Sequence, residues 1–265
     1  MPVIGFIGTG NMGGALARAA AKEPANRLLL TNRTQAKAEK LAAEIGAEAV
    51  TREQAVAGAD YLFLGVKPQM LPGLAESIAP LLRAREGRFV LVTMAAGTPI
   101  ERLLALLGAE YPVIRIMPNT PASIGQGMIL YTCGAGVTAE EEQTFLKAMA
   151  GAGRFLKLEE RLIDAGSAVS GSGPAFADLF LEALADGGVA CGLPRKQALE
   201  MAAQMLLGSA ALYLQSGKHP GELKDAVCSP GGTTIQGVRV LEERGFRAAV
   251  MDAVIRTCEK NADLK

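Results

Sequence analysis

The sequence has 265 residues, 49% of them apolar and 20% charged, with 27 basic and 27 acidic side chains. This neutral balance, without a long run of either sign, gives no electrostatic reason to expect a nucleic acid or an anionic membrane as a partner. No apolar run approaches the length of a membrane span, so we expect a cytoplasmic globular protein whose partner is a small molecule or another protein chain.

Short strands alternate with helices over the first 160 residues. Nearly all-apolar runs predict buried parallel strands at 3–8, 27–33, 61–66, 89–94 and 113–118. Alanine-rich helical stretches lie between them at 12–23, 34–45, 69–83 and 98–107. This alternation predicts an α/β fold, a Rossmann-type doubly wound sheet. Segments 127–132 and 153–158, around a helix near 138–150, are expected to extend it.

Beyond about residue 160 the composition is helical throughout. We predict helices at 161–191, 194–216, 219–226, 233–244 and 246–262. The chain is therefore expected to form a Rossmann domain over 1–160 and an all-α domain over 161–265. Several helices are too apolar for a small domain to bury alone, which favours a homodimer or larger assembly; the alternative is that they pack only on the first domain.

Groups that ligate metals are scarce. His219 is the only histidine, and it precedes Pro220, where a helix start is expected. The four cysteines lie far apart and form no C-x-x-C, namely Cys133, Cys191, Cys228 and Cys258. We therefore expect no metal site, and reduced, mostly buried thiols.

A glycine pattern of the form G-x-G-x-x-G follows the first predicted strand. It consists of Gly8, Thr9, Gly10, Asn11, Met12 and Gly13. Gly8 would make a tight turn, Gly10 would let the backbone approach a pyrophosphate, and Gly13 would let helix and strand touch. The pyrophosphate would then rest on the N-terminus of the helix. In this context the pattern predicts a dinucleotide site.

The end of the second predicted strand indicates which dinucleotide is preferred. NAD enzymes usually present Asp or Glu there to the ribose 2′-hydroxyl, but this chain has Asn32, Arg33 and Thr34. A neutral amide, a guanidinium and a hydroxyl suit a 2′-phosphate. We expect NADP(H) to be preferred, with NAD(H) as an alternative. The competing interpretation is a solvated Arg33 beside a helix cap at Thr34.

Three further loops follow predicted strands at the same sheet edge, where ligands of such folds bind. They contain Val66, Lys67 and Pro68; Ala95 and Ala96; and Asn119. We expect them to surround the nicotinamide, since small residues admit a flat ring and Asn119 can hydrogen-bond to it. Taken singly, each loop is more often an ordinary turn, but three of them at the same edge favour a site.

The chain resembles the pyrroline-5-carboxylate reductase family over essentially its full length. The motifs that carry the resemblance are the glycine pattern with Asn11-Met12, VKPQ at 66–69, MPNTP at 117–121, SGSGPA at 170–175 and SPGGTT at 229–234. The resemblance implies reduction of 1-pyrroline-5-carboxylate to L-proline with NADPH or NADH. It also implies a helical dimerisation domain, a catalytic cleft completed by the partner subunit, and dimers that can assemble into decamers.

The motif SPGGTT interrupts the helical C-terminal region. A helix that restarts after Pro-Gly-Gly presents unpaired N–H groups, which suit a substrate carboxylate. We expect Ser229, Gly231, Gly232 and Thr233 to bind substrate. The resemblance implies that the hydroxyl of Thr234 hydrogen-bonds to the ring nitrogen. Without the other motifs, a helix start with no ligand is equally compatible with this segment.

Two residues are assigned to catalysis. An imine accepts hydride far better once its nitrogen is protonated, and Thr234 would orient that nitrogen or pass it a proton. Lys67 could serve as the acid, although the expectation is that it fixes the cofactor through its backbone. SGSGPA could contact substrate or cofactor, but close helix packing across a dimer is favoured.

Two positions depart from the family pattern. Phe176 stands where the family commonly has tyrosine, and Arg52 stands where asparagine is frequent. The second departure puts the adenine-side contacts in doubt, and a cation there would add to a preference for NADP(H).

Two other functions compete with this assignment. A β-hydroxyacid dehydrogenase shares the layout but carries a lysine in the helix that opens its second domain, and residues 166–182 contain none. A noncatalytic NADP-binding sensor would bind cofactor without turnover.

Overall fold

The computed structural model describes residues 1–262. The chain divides into two compact units. The first, called here the sheet unit, comprises residues 1–172 and 257–262 of the described chain. The second, called the helical unit, comprises Gly173–Arg256.

One eight-stranded sheet forms the centre of the sheet unit. Its strands are β1 (Val3–Ile7), β2 (Arg27–Thr31), β3 (Glu48–Ala49), β4 (Tyr61–Leu64), β5 (Val90–Thr93), β6 (Val113–Met117), β7 (Gly127–Cys133) and β8 (Gly153–Lys157). The order across the sheet is β3-β2-β1-β4-β5-β6-β7-β8. All neighbours are parallel except β6 and β7, which are antiparallel. The doubly wound sheet predicted from the sequence is confirmed, including its extension by 127–132 and 153–158.

Helices cover both faces of this sheet. They are α1 (Asn11–Ala20), α2 (Gln35–Ile45), α3 (Arg52–Gly58), α4 (Leu71–Ala84), α5 (Ile100–Leu107), α6 (Ala139–Ala148) and α7 (Ile163–Ser170). Side chains alternate along β4, so that Phe63 joins the core beneath α1, α2 and α6. Leu62 and Leu64 join the core beneath α3, α4 and α5. Strands buried on both faces explain the continuous apolar runs in the sequence.

Two elements of this unit, β3 and α3, were missing from the predictions. Strand β3 has only two residues and pairs with β2. Helix α3 begins after a capping box, in which the Thr51 hydroxyl accepts from the Gln54 amide and the Gln54 side chain accepts from the Thr51 amide. A threonine followed three residues later by glutamine is a recognisable helix start, so the sequence did contain the signal for α3.

The helical unit contains α8 (Gly173–Ala190), α9 (Arg195–Ser216), α10 (Pro220–Val227), α11 (Thr233–Glu243) and most of α12 (Phe246–Ala262). The region 161–191, predicted as helical throughout, is divided, because α7 ends at Ser170 and α8 begins at Gly173. His219 caps α10, as predicted, with its Nδ1 accepting from the Gly221 amide at 3.1 Å.

Very little of the helical unit is buried within one chain. Of residues 173–256, the buried ones are Ala185, Ala198 and Ala202. Large apolar side chains along α9 are exposed, among them Met201 and Leu207. Such an apolar surface is typical of a face that another protein chain covers.

The cysteines differ from expectation. All four are free thiols, but Cys191 is exposed and the other three are half-buried, so the prediction of mostly buried thiols is wrong for the single chain. Burial nevertheless raises the pKa of the Cys133 thiol to about 11, which keeps it protonated at neutral pH. Within residues 1–262 no group of three or more His, Cys, Asp or Glu side chains is placed to hold a metal ion, and no helix could cross a membrane.

Arg115 of β6 is the buried cation of the sheet unit. Its side chain is 3% exposed and donates to Asp164 of α7 at 2.7 Å and to Glu160 at 3.3 Å. The same Glu160 carboxylate accepts from the Ile100 amide at 2.7 Å. This network joins β6 to the start of α5 and to the segment that leads into α7.

We predict that Arg115→Met lowers the free energy of unfolding by about 3 kcal/mol, because it leaves two acidic groups without their buried cation. The matched control is Arg161→Met, since Arg161 pairs with Glu159 at the surface and such pairs contribute less than about 1 kcal/mol. Urea unfolding of both variants at one protein concentration measures the difference. Equal urea midpoints for the two variants would contradict a stabilising role of the buried Arg115 network.

Candidate dinucleotide and substrate sites

The glycine turn lies where strand order reverses, between β1 and β4, and this is where ligands bind in such sheets. Gly8 has φ +104°, and a Cβ there would meet the Gly65 carbonyl oxygen at 2.5 Å. A Cβ on Gly13 would meet the Gly8 carbonyl oxygen at 2.2 Å. The tight turn predicted for Gly8 and the close helix–strand approach predicted for Gly13 are therefore confirmed.

Gly10 is different, because a Cβ there would have nothing within 4 Å. It is exposed and precedes α1, whose N-terminus has no side-chain cap and no acidic residue in its first turn. Asn11 is exposed at the start of this helix, while the Met12 side chain packs against the core. Open space before bare amide hydrogens fits a phosphate group. The hydroxyl of Thr9 is buried and has no partner among the described residues.

A cleft of about 520 Å³ begins at this turn. Its lining includes Gly8, Gly10, Asn32, Arg33, Arg52, Gly65, Val66, Lys67, Gln69 and Ser77. Three cations face it, and no acidic side chain lines it. The cleft therefore suits an anionic ligand, and predicted residues from the segments after β1, β2, β3 and β4 are brought together in it.

Asn32 and Arg33 follow β2 directly, as the spacing predicted. Arg33 is exposed and has no ion-pair or hydrogen-bond partner in residues 1–262. Thr34 is the N-cap residue of α2, but its side chain makes no capping hydrogen bond. Neither side chain is committed to the protein's own structure, so both stay candidates for ligand binding.

Lys67 and Pro68 lead from β4 into a short 3-10 helix, Pro68–Met70, with the Lys67 side chain exposed. Ala95 is buried and Ala96 half-buried in the turn after β5. Ala96 and Pro68 line a second hollow of about 510 Å³ at the same sheet edge. Two of the three loops expected to surround a nicotinamide are thus neighbours in the sheet unit.

Asn119 is occupied by other contacts. It is 8% exposed; its Nδ2 donates to the Ser170 carbonyl oxygen at 2.9 Å and its Oδ1 accepts from the Met128 amide at 3.0 Å. Both ends of the amide therefore support the turn between β6 and β7. A contact of Asn119 with the cofactor stays a prediction.

The motif at 229–234 forms a bend before α11. Gly231 has φ +69°, the Gly232 amide donates to the Ser229 carbonyl oxygen at 3.0 Å, and Gly232 is the N-cap. No side chain caps α11 and no acidic residue lies in its first turn. Thr233 and Thr234 are its first two residues, and both are exposed. The expected restart of a helix is confirmed, but the amide of Gly232 is bonded to its own chain, so the expectation of bare amides is wrong for Gly232. The bound substrate stays a prediction.

Sequence reasoning did not select several residues that line the dinucleotide cleft, among them Gly65, Gln69 and Ser77. Gly65 could have been found, because it ends a buried strand at the switch point and its Cβ would lie 2.5 Å from the Gly8 carbonyl oxygen. Gln69 stood in the motif VKPQ but received no role. Ser77, in the middle of α4, carries no pattern that marks it.

Comparisons with known proteins agree with this arrangement. Residues 3–97 match the family "NADP oxidoreductase coenzyme F420-dependent", and residues 160–264 match "Pyrroline-5-carboxylate reductase dimerisation". Pyrroline-5-carboxylate reductase of Escherichia coli K12 is 41% identical over 265 residues, which cover 98% of this chain and 97% of that protein.

Two solved structures are similar over nearly the whole chain. Plasmodium falciparum pyrroline carboxylate reductase with NADP bound has TM-score 0.86 at 28% identity, covering 99% of this chain and 98% of that one. Coxiella burnetii pyrroline-5-carboxylate reductase has TM-score 0.91 at 28% identity, covering 100% of this chain and 98% of that one.

The fold, the glycine turn and these matches define a Rossmann-type oxidoreductase that binds a nicotinamide dinucleotide. Its C-terminal region is a dimerisation domain. With relatives about 40% identical along its length, the chain belongs to the pyrroline-5-carboxylate reductase family.

The two glycines of the turn give a matched pair of variants. We predict that Gly13→Ala destabilises the fold by about 1–3 kcal/mol, because the new methyl group meets the Gly8 carbonyl. Gly10→Ala should leave the urea midpoint unchanged, since its Cβ enters open space, yet weaken NADPH binding about tenfold or more. A loss of stability in Gly10→Ala, or unchanged NADPH binding by that variant, would contradict the assignment of Gly10 to the dinucleotide site.

Proposed function

We propose that the protein reduces the cyclic imine of 1-pyrroline-5-carboxylate to L-proline, with NADPH preferred over NADH. The observation that carries the proposal is the exposed N-terminus of α11, which follows the glycine bend and has no side-chain cap for its amide hydrogens. Relatives named for this reaction, at 38–41% identity, support it.

The substrate carboxylate binds at the start of α11 in this proposal. The N–H groups of Gly231, Thr233 and Thr234 have no partner in a preceding helical turn, and the positive end of the helix dipole adds attraction for an anion. Gly231 lets the chain reach its left-handed conformation without strain. Gly232 has its own constraint, because a Cβ there would lie 2.3 Å from the Ser229 hydroxyl oxygen.

Thr234 orients the imine. Its hydroxyl, exposed at the second position of α11, donates to or accepts from the ring nitrogen, which holds the reacting carbon in a fixed position. A bound reduced nicotinamide supplies the hydride. Proton transfer to nitrogen occurs from solvent or through Thr234, and Lys67 is the other candidate acid, although its exposed side chain favours a role beside the cofactor.

The preference for NADP(H) is supported by the end of β2. Asn32 and Arg33 replace the acidic residue that would repel a 2′-phosphate, and both line the dinucleotide cleft. With Thr34 uncommitted as a cap, a guanidinium and a hydroxyl are available to a phosphate.

The assembly we propose is a cytoplasmic homodimer that can associate further into decamers. The three buried residues of the helical unit and its exposed apolar helices support association, and the free cysteines are consistent with a reducing compartment. We expect light scattering to give a mass of at least twice the 27.5 kDa of one chain. A monomer at micromolar concentration would contradict this assembly.

The decisive kinetic test uses Thr234. We predict that Thr234→Ala lowers kcat/KM for the imine about 10²-fold, while Thr234→Ser stays within about fivefold because it keeps the hydroxyl. NADPH affinity and stability should not change, since Thr234 provides no cap.

The same assay separates the competing functions. NADPH oxidation is followed with pyrroline-5-carboxylate, and NADP⁺ reduction is followed separately with a β-hydroxyacid. Turnover only of the hydroxyacid would favour a β-hydroxyacid dehydrogenase, and binding without turnover would favour a sensor.

A further inference from the structure

Arg52 is held in a defined position at the dinucleotide cleft. It is the first residue of α3, and its Nη1 donates to the Ser77 hydroxyl oxygen at 3.0 Å. That hydroxyl itself donates to the Leu74 carbonyl oxygen at 2.7 Å. Because a hydroxyl has a single proton, this second bond leaves the Ser77 oxygen as an acceptor for Arg52. The guanidinium is therefore anchored to α4.

The guanidinium of Arg52 forms no ion pair within residues 1–262, although the charge of neighbouring Glu53 interacts with it. A guanidinium has five N–H donors, and the bond to Ser77 uses one of them. Neither Arg52 nor Arg33 forms an ion pair with a carboxylate of the described chain. Both line the same cleft, whose lining contains no acidic side chain. An anionic group of a ligand is the partner that this pair of cations favours.

The order of the strands indicates which anionic group this is. A pyrophosphate belongs at the glycine turn after β1, and the adenosine ribose belongs at the end of β2. Arg33 lies at that second position. Arg52 follows β3, which pairs with β2 on the side away from β1. Both arginines thus lie at the adenosine end, where the 2′-phosphate is the one anionic group of NADP(H).

We propose that Arg33 and Arg52 form a two-arginine clamp on the 2′-phosphate of NADP(H), with Ser77 as the positioning residue of Arg52. Arg52 then determines cofactor preference together with Arg33. The inference rests on the proposed preference for NADP(H) and adds to it two residues on α3 and α4.

Binding to the full-length protein tests the clamp, with NADPH and NADH titrated separately by their fluorescence. Arg52→Ala should raise the Kd for NADPH about 10- to 100-fold, as expected for a charge-assisted hydrogen bond, and change the Kd for NADH by less than about threefold. The control is Arg154→Ala, an exposed arginine on β8 at the far edge of the same sheet, which should change neither.

Two conservative variants separate positioning from charge. Ser77→Ala keeps the charge but removes the anchor, so the Kd for NADPH should rise about threefold with NADH unaffected. The Kd of Arg52→Lys for NADPH should lie between those of wild type and Arg52→Ala, because an ammonium group keeps the positive charge but lacks the planar set of donors of a guanidinium. Equal losses for NADPH and NADH would place Arg52 against the adenine ring and overturn the clamp, as would no loss for either.

Smaller probes keep this test independent of catalysis. Wild type should bind 2′,5′-ADP more tightly than 5′-AMP, and Arg52→Ala should remove most of that difference. Neither probe involves the imine, so an enzyme inactive on pyrroline-5-carboxylate could still show the clamp. An active enzyme whose Arg52→Ala variant keeps the full difference would refute the clamp alone.

Discussion

The close contact between the backbones of Gly8 and Gly65 is the constraint on which the dinucleotide site depends. A Cβ on either residue would lie 2.5 Å from the other's carbonyl oxygen, so the ends of β1 and β4 meet only because neither residue has a side chain. Gly13 adds α1 to the same contact. The N-terminus of α1 is therefore fixed at the point where the strand order reverses, which is where a phosphate binds in this fold. The cations that line the cleft lie on other elements: Arg33 follows β2, Arg52 begins α3 and Lys67 follows β4.

The helical unit has the opposite character. One chain buries three alanines of this unit, although its helices are rich in leucine, methionine and valine. Such a unit gains little from the hydrophobic effect by itself, so association and folding are expected to be coupled. The start of α11 is exposed and has no side-chain cap. Several other helices also lack one, among them α5 and α9, so it is the combination of the glycine bend, the exposed threonines and the absent cap that favours a ligand at α11.

Much of the fold could be predicted from the sequence, because buried parallel strands leave continuous apolar runs and glycines mark close approaches. The positions of Gly8 and Gly13 were predicted from the glycine pattern after the first strand, and that of Arg33 from the end of the second strand. Contacts that depend on tertiary structure could not be predicted. The Asn119 amide supports the β6–β7 turn, and Ser77 anchors an arginine 25 residues away in the chain. The exposure of the cysteines could not be predicted either, since it depends on which surfaces of its strands and helices a single chain leaves uncovered.

The central claim is that the glycine-threonine bend before α11 binds the carboxylate of the substrate. A crystal structure of the protein with NADP⁺ and a proline analogue tests it most directly. We predict that the carboxylate of the analogue accepts hydrogen bonds from main-chain amides within residues 231–234, with the Thr234 hydroxyl at the ring nitrogen. A carboxylate bound elsewhere, with the amides of Gly231, Thr233 and Thr234 hydrogen-bonded to their own chain, would contradict the account.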